Sequence, residues 1–166
     1  MDLKRIIRHL LTTRRLLSRT FPEATLAAAG QTIQASERQH TGQIRLVVEA
    51  ALDSGPLLRG QTAKERALEL FSHLRIWDTQ HNNGVLIYLL LADRDVEIVA
   101  DRGIHARVGT AQWEQICRAM ESAFRQANYK TGVIQGIEAV TGHLSRHFPG
   151  SGDHPDNELP DAPLVL

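Results

Sequence analysis

Val85 to Ala92 is an unbroken run of eight apolar residues, Val-Leu-Ile-Tyr-Leu-Leu-Leu-Ala. It falls far short of the roughly 20 apolar residues that cross a bilayer, and it has the length of a strand. A strand with no polar alternation has no face to offer to water, so it needs cover on both sides. The rest of the chain must therefore supply helices for two layers.

The helices are legible from spacing. Leu3, Ile6, Ile7, Leu10, Leu11 and Leu17 form an apolar stripe, with Lys4, Arg5, Arg8, Arg15 and Arg19 largely off it. Residues 1–20 thus read as one basic amphipathic helix. Phe21-Pro22 breaks it, and Pro22 opens a second helix that runs to about Gln39. Thr62-Ala63-Lys64-Glu65 is a capping box ahead of a stripe of Ala67, Leu70, Phe71 and Leu74. Thr110 is expected to cap a helix bearing Trp113, Ile116, Cys117, Met120 and Phe124. A final helix from about Lys130 to Phe148 carries Val133, Ile137, Val140 and Leu144.

Ile44 to Ala50 is a strand candidate, with Ile44, Leu46 and Val48 on one face. The segment from Leu52 to Gln61 reads as a loop marked by Gly55-Pro56 and Gly60. Val96 to Asp101 alternates, and only Asp93-Arg94 separates it from the apolar run, so the two should form an antiparallel hairpin. Residues 149–166 hold four of the six prolines and four acids, which predicts a disordered tail. The expected fold is α/β: a three-layer α/β/α sandwich over residues 21–148 with a small mixed sheet, preceded by the amphipathic helix.

Charge limits the partners. Lys plus Arg and Asp plus Glu are 19 each, which gives no whole-molecule reason to expect nucleic acid. Residues 1–20, however, hold six basic residues against one acid, a net of +5 that leaves −5 for the remainder. That arm suits either an anionic membrane surface or packing on the domain or on a second copy. Cys117 is the only cysteine, so neither an intramolecular disulfide nor a CxxC site is available. No signal-peptide h-region and no membrane span is read, and the cytoplasm is the expected compartment, peripheral to the inner membrane if the arm binds lipid.

Four sequence words stand in this order: Thr41-Gly42-Gln43-Ile44, Asn83-Gly84-Val85-Leu86-Ile87, Asp93-Arg94, and Asp101-Arg102-Gly103-Ile104. An aromatic-and-glycine join from Phe124 to Gly132 follows. Over about Pro22 to Phe148 the set resembles the TPM domain family, which includes thylakoid proteins linked to photosystem repair, an animal receptor modulator and bacterial envelope proteins. The resemblance implies the same α/β/α sandwich. It also implies a divalent-cation site near the loop end of the sheet and, from some plant members, acid phosphatase activity. The chain departs from the family where relatives carry acids: Asn82 and Ala92 stand at two such positions.

Asp78, Asp93 and Asp101, with Asn82, are the candidate ligands for Ca²⁺ or Mg²⁺, because hard cations take several oxygen ligands. Asp95 belongs to the same group of strand-end acids. Arg94 and Arg102 are candidate phosphate holders and His105, in a glycine-flanked loop, a candidate acid or base, with Asp93 itself a candidate catalytic carboxylate. The competing reading makes Asp93 and Asp95 turn acids, Asp101 a strand-end acid beside Arg102, and Asn82 a left-handed turn residue. His143 and His147 have metal-ligand spacing, but Leu144 stands where a zinc-protease motif needs Glu. With two family carboxylates replaced, a non-enzymatic module that binds a protein partner is the first expectation. A low-activity metal-dependent phosphatase is the alternative.

Overall fold

The computed structural model describes residues 2–150 and 157–166. Residues 151–156, within the segment expected to be a disordered tail, lie outside the described residues.

Three strands were expected and are present: β1 (Gln43–Glu49), β2 (Gly84–Leu90) and β3 (Asp95–Ala100). β1 and β2 are parallel, with Leu46 opposite Ile87. β2 and β3 form the antiparallel hairpin, with Ile87 opposite Ile98. All seven residues of β2 are buried, as its uninterrupted apolar sequence requires. So are all seven of β1, which the helices cover on both faces. Ile44, Leu46, Val48, Val85, Ile87 and Leu89 enter one core. Val47, Leu86, Tyr88 and Leu90 enter the other.

Helices close both faces. On the first lie α3 (Glu23–Ser36), α6 (Arg102–Val108), α7 (Thr110–Arg125) and α8 (Tyr129–His147). Their contribution includes Ile33, Ile104, Trp113, Met120 and Ile137. On the second lie α4 (Ser54–Leu58) and α5 (Ala63–His73), which bring Leu57, Ala67 and Leu70. The capping box of α5 forms as read: Thr62 Oγ1 accepts from Glu65 N, and Glu65 accepts from Thr62 N.

Five expectations are corrected. The basic arm is two helices, α1 (Leu3–Leu11) and α2 (Arg14–Thr20), because the Thr13 hydroxyl caps a new helix by accepting from Leu16 N. Residues 52–61 are not all loop, since α4 occupies their middle. His105 sits on α6 rather than in a loop, and it is Gly109, with φ of 85°, rather than Thr110 that stands at the N-cap of α7.

The fifth correction concerns the tail. Leu164–Val165 form β4, parallel to β1, so the sheet order is β3-β2-β1-β4. Composition alone pointed to disorder, but the prolines here leave donors where the sheet needs them. Leu166 N donates to Val48 O, and Ala50 N donates to Leu166 O. Arg45 binds the Pro160 and Ala162 carbonyls, and the Gln43 side chain accepts from Glu158 N and Leu159 N. Leu159 is buried in the second core.

Candidate functional site

The candidate residues fall at two ends of the sheet. Val85 pairs with Ala100 and Leu90 with Asp95, so the hairpin separates Asn82 and Asp101 from Asp93 by the length of the strands. At about 3.3 Å per residue that is on the order of 17 Å. One ion cannot be shared by Asp93 and Asp101, and the expected four-residue metal set is divided.

At the loop end, Asn82 adopts φ of 52°, the left-handed turn conformation that Asn tolerates. Its carbonyl accepts from Ile104 N. Asp101 Oδ1 accepts from Arg102 N at 2.7 Å and caps α6. Asp101 Oδ2 and Asn83 Oδ1 are both buried without a hydrogen-bond partner. Asp78, Arg102 and His105 are exposed. Two orphaned oxygens are a polar corner, but a hard cation asks for several oxygen ligands. Among the described residues no group of three or more His, Cys, Asp or Glu side chains is placed to hold a metal ion. The donor set therefore does not fit the cation that the resemblance implies, and no chemical step is derived through one.

At the hairpin end, Arg94 takes φ of 55° and turns the chain, with its side chain exposed. Asp93 is engaged from across the molecule. Arg5 Nη2 approaches its carboxylate at 2.8 Å, Arg8 Nη2 at 2.9 Å and His9 Nε2 at 3.2 Å. Burial raises the Asp93 pKa, but the hydrogen bond and charge of Arg5, with His9 close by, outweigh it and hold the group below the usual carboxylate range. His9 is buried, and its Nδ1 accepts from Leu52 N at 3.0 Å. That bond fixes the neutral tautomer with its Nε2–H toward Asp93. Arg5 also donates to the Gln61 carbonyl at 2.7 Å. Helix α1 thus docks across the carboxyl ends of β1 and β2, the position where open α/β sheets ordinarily take ligands.

The docking turns α1 inside out relative to an ordinary surface helix. Its inward side is Arg5, Ile6 and His9, while Leu3, Ile7, Leu10 and Leu11 are 66, 47, 70 and 71% exposed. Leu16 on α2 is exposed as well. Lys4, Arg8, Arg14 and Arg15 are exposed on the same two helices. Sequence reasoning found the stripe and the arginines. It left Asp93 as either a ligand or catalytic carboxylate or a turn acid, and the only signal for its partner was the surplus charge of the arm.

The sequence matches the TPM domain family over residues 17–143. The chain belongs to the TPM domain family. The match begins within α2 and so leaves α1 outside it. Among solved structures, the BA42 protein of the psychrophilic bacterium Bizionia argentinensis is similar, with 29% identity and a TM-score of 0.75 over 86% of this chain and 93% of that one. The N-terminal domain of a protein from P. gingivalis shares the fold at 19% identity, with a TM-score of 0.61 over 76% of this chain and 77% of that one. A comparison with curated proteins found no match.

Other buried ionisable groups in this TPM domain serve packing. Tyr88 donates to Glu49 at 2.7 Å, and Arg66 grips the same carboxylate through Nε and Nη2, joining β1, β2 and α5. Burial pushes the Cys117 thiol up to about 12, with Glu97 adding to the shift, which removes it as a nucleophile at neutral pH. The His143 ring packs edge-on against Trp113.

Proposed function

We propose that this TPM domain is a non-enzymatic interaction module that meets an anionic membrane surface through α1 and α2. The observation that carries the reading is the outward leucine face of α1, set among exposed basic residues and fastened to the domain by Asp93. Four large apolar side chains on one short helix lose stability in water. Each gains about 25 cal/mol per Å² when it enters an apolar phase. Each Lys or Arg near an anionic surface adds about 1 kcal/mol at moderate salt. Among the described residues no helix is long and apolar enough to cross a membrane, so contact of this kind would be peripheral. The protein partner that a module of this kind serves would then be met at the membrane.

The metal-dependent phosphatase is the weaker reading. It needs Asp93 and Asp101 at one site, and its phosphate holders Arg94 and Arg102 stand at opposite ends of the same hairpin.

Co-sedimentation with vesicles tests the proposal. Vesicles rich in phosphatidylglycerol should carry the protein down at low salt and release most of it by about 0.5 M salt, where the Debye length has fallen to a few ångströms. Phosphatidylcholine vesicles should carry little. Equal binding to both, or none to either, would remove the proposal. A dimer formed through the leucine face, seen by sedimentation velocity without lipid, would reassign that face to a second copy.

A further inference from the structure

The two edges of the sheet are treated differently. The chain covers the β1 edge with its own C-terminal β4, while β3 forms the other edge. Along β3 from Asp95 to Ala100 runs an open groove of about 650 Å³, walled by Lys64 and Leu68 of α5 and by α7.

The ladder fixes what this edge offers. Asp101 N donates to Gly84 O, which makes Gly84 and Asp101 a hydrogen-bonded pair. By alternation Val99, Glu97 and Asp95 turn their backbone groups inward to Leu86, Tyr88 and Leu90. Val96, Ile98 and Ala100 turn theirs outward to the groove. Among the described residues no side chain makes a hydrogen bond to the backbone groups of these three residues. An added strand would supply the carbonyl and amide partners they lack.

Charge selects the strand. Asp95, Glu97, Glu114 and Glu121 line the groove together with Lys64, Arg118, Arg102 and His105. Arg118 is paired with Glu114 at 3.4 Å and Arg125 with Glu121 at 3.9 Å, which leaves Asp95 and Glu97 on β3, among the described residues, as the lining acids without an ion pair, with Lys64 the base near Glu97. Burial and the neighbouring carboxylates raise the pKa of both Asp95 and Glu97, a sign of crowded negative charge. Leu68, 50% exposed, and half-buried Val99 provide apolar surface between the charges. From this we infer that the β3 edge is a second docking site, independent of α1, which takes an extended segment of a partner protein by strand addition, with alternate apolar and basic side chains.

The test uses the full-length ¹⁵N-labelled protein and three blocked octapeptides: alternating Val and Lys, alternating Val and Glu, and the Val/Lys peptide N-methylated at every second residue. The Val/Lys peptide should shift the amide signals of Val96, Ile98 and Ala100, and those of α1 should stay in place. The Val/Glu peptide should not bind, and N-methylation, which removes strand pairing but keeps charge, should weaken binding about tenfold or more. Glu97→Lys should weaken the Val/Lys peptide by a similar factor. Equal binding of the N-methylated peptide, or no shift at the three amides at millimolar peptide, would overturn the inference. So would a dimer whose interface protects those amides in the absence of peptide. The wild-type arms decide the matter even if Glu97→Lys fails to fold.

Discussion

Asp93 is the residue on which the readings divide. A catalytic or metal-binding carboxylate must face a ligand. This one faces Arg5, Arg8 and His9, with its side chain only 11% exposed. Asp93→Ala should therefore act on α1. It leaves Arg5 without its acceptor and buried His9 without the neighbouring carboxylate, at a cost of about 2 kcal/mol. Amide exchange should speed up in residues 3–11 while that of β2 stays slow. The same contact makes α1 sensitive to acid. Burial pulls His9 below the ordinary value of 6.5, and Asp93 offsets this only in part. A group whose pKa is lowered in the folded state contributes stability above its unfolded value and loses it as pH falls. Docking of α1 should thus weaken as pH drops below about 6.5. Amide exchange in residues 3–11, corrected for intrinsic rate, should therefore speed up as pH falls from about 7.5 to about 5.5. Slower exchange there on acidification would contradict this assignment.

At the scale of elements, the tail titrates in the opposite sense. Glu37 on the C-cap of α3 is pushed up to about 7 by burial and by the neighbouring Asp161. Its folded-state pKa lies above the unfolded value of 4.5, so its contribution is full below 4.5 and is lost as pH rises through about 7. The Leu166 amide, bonded to Val48 O, should be better protected at pH 6 than at pH 8 once intrinsic exchange is corrected. Glu37→Gln should abolish that difference. Gly84 makes an element-scale prediction of another kind. A methyl group there would overlap the Ile76 carbonyl, a backbone atom with nowhere to move. Gly84→Ala should cost about 3 kcal/mol, read as a loss in denaturant midpoint with folding otherwise intact.

At the scale of the whole molecule, what the sequence made legible follows period and local chemistry. The eight-residue apolar run, the hairpin and the Thr62 capping box depend on near neighbours, and all three form. The parts that were not legible depend on distant partners. Residues 157–166 look disordered until Arg45 and Gln43, more than a hundred residues away, bind their backbone. The stripe of α1 was open to either a membrane or the domain, because helical period cannot tell which side of a helix meets the domain. A long-range pairing of Arg5 and His9 with Asp93 decided that. Asp93 and Asp101 looked like one cluster because they are close in sequence, and a hairpin places them at opposite ends.

The most direct measurement is vesicle co-sedimentation of wild type beside Leu10→Glu/Leu11→Glu, with Leu68→Glu as control. All three leucines are at least half exposed, so the variants should keep the melting temperature of the parent. The account predicts that the double substitution abolishes binding to phosphatidylglycerol vesicles at low salt and that Leu68→Glu leaves it unchanged. Equal binding by the double variant would contradict it, and α1 would then be only a strap holding the hairpin end of the sheet.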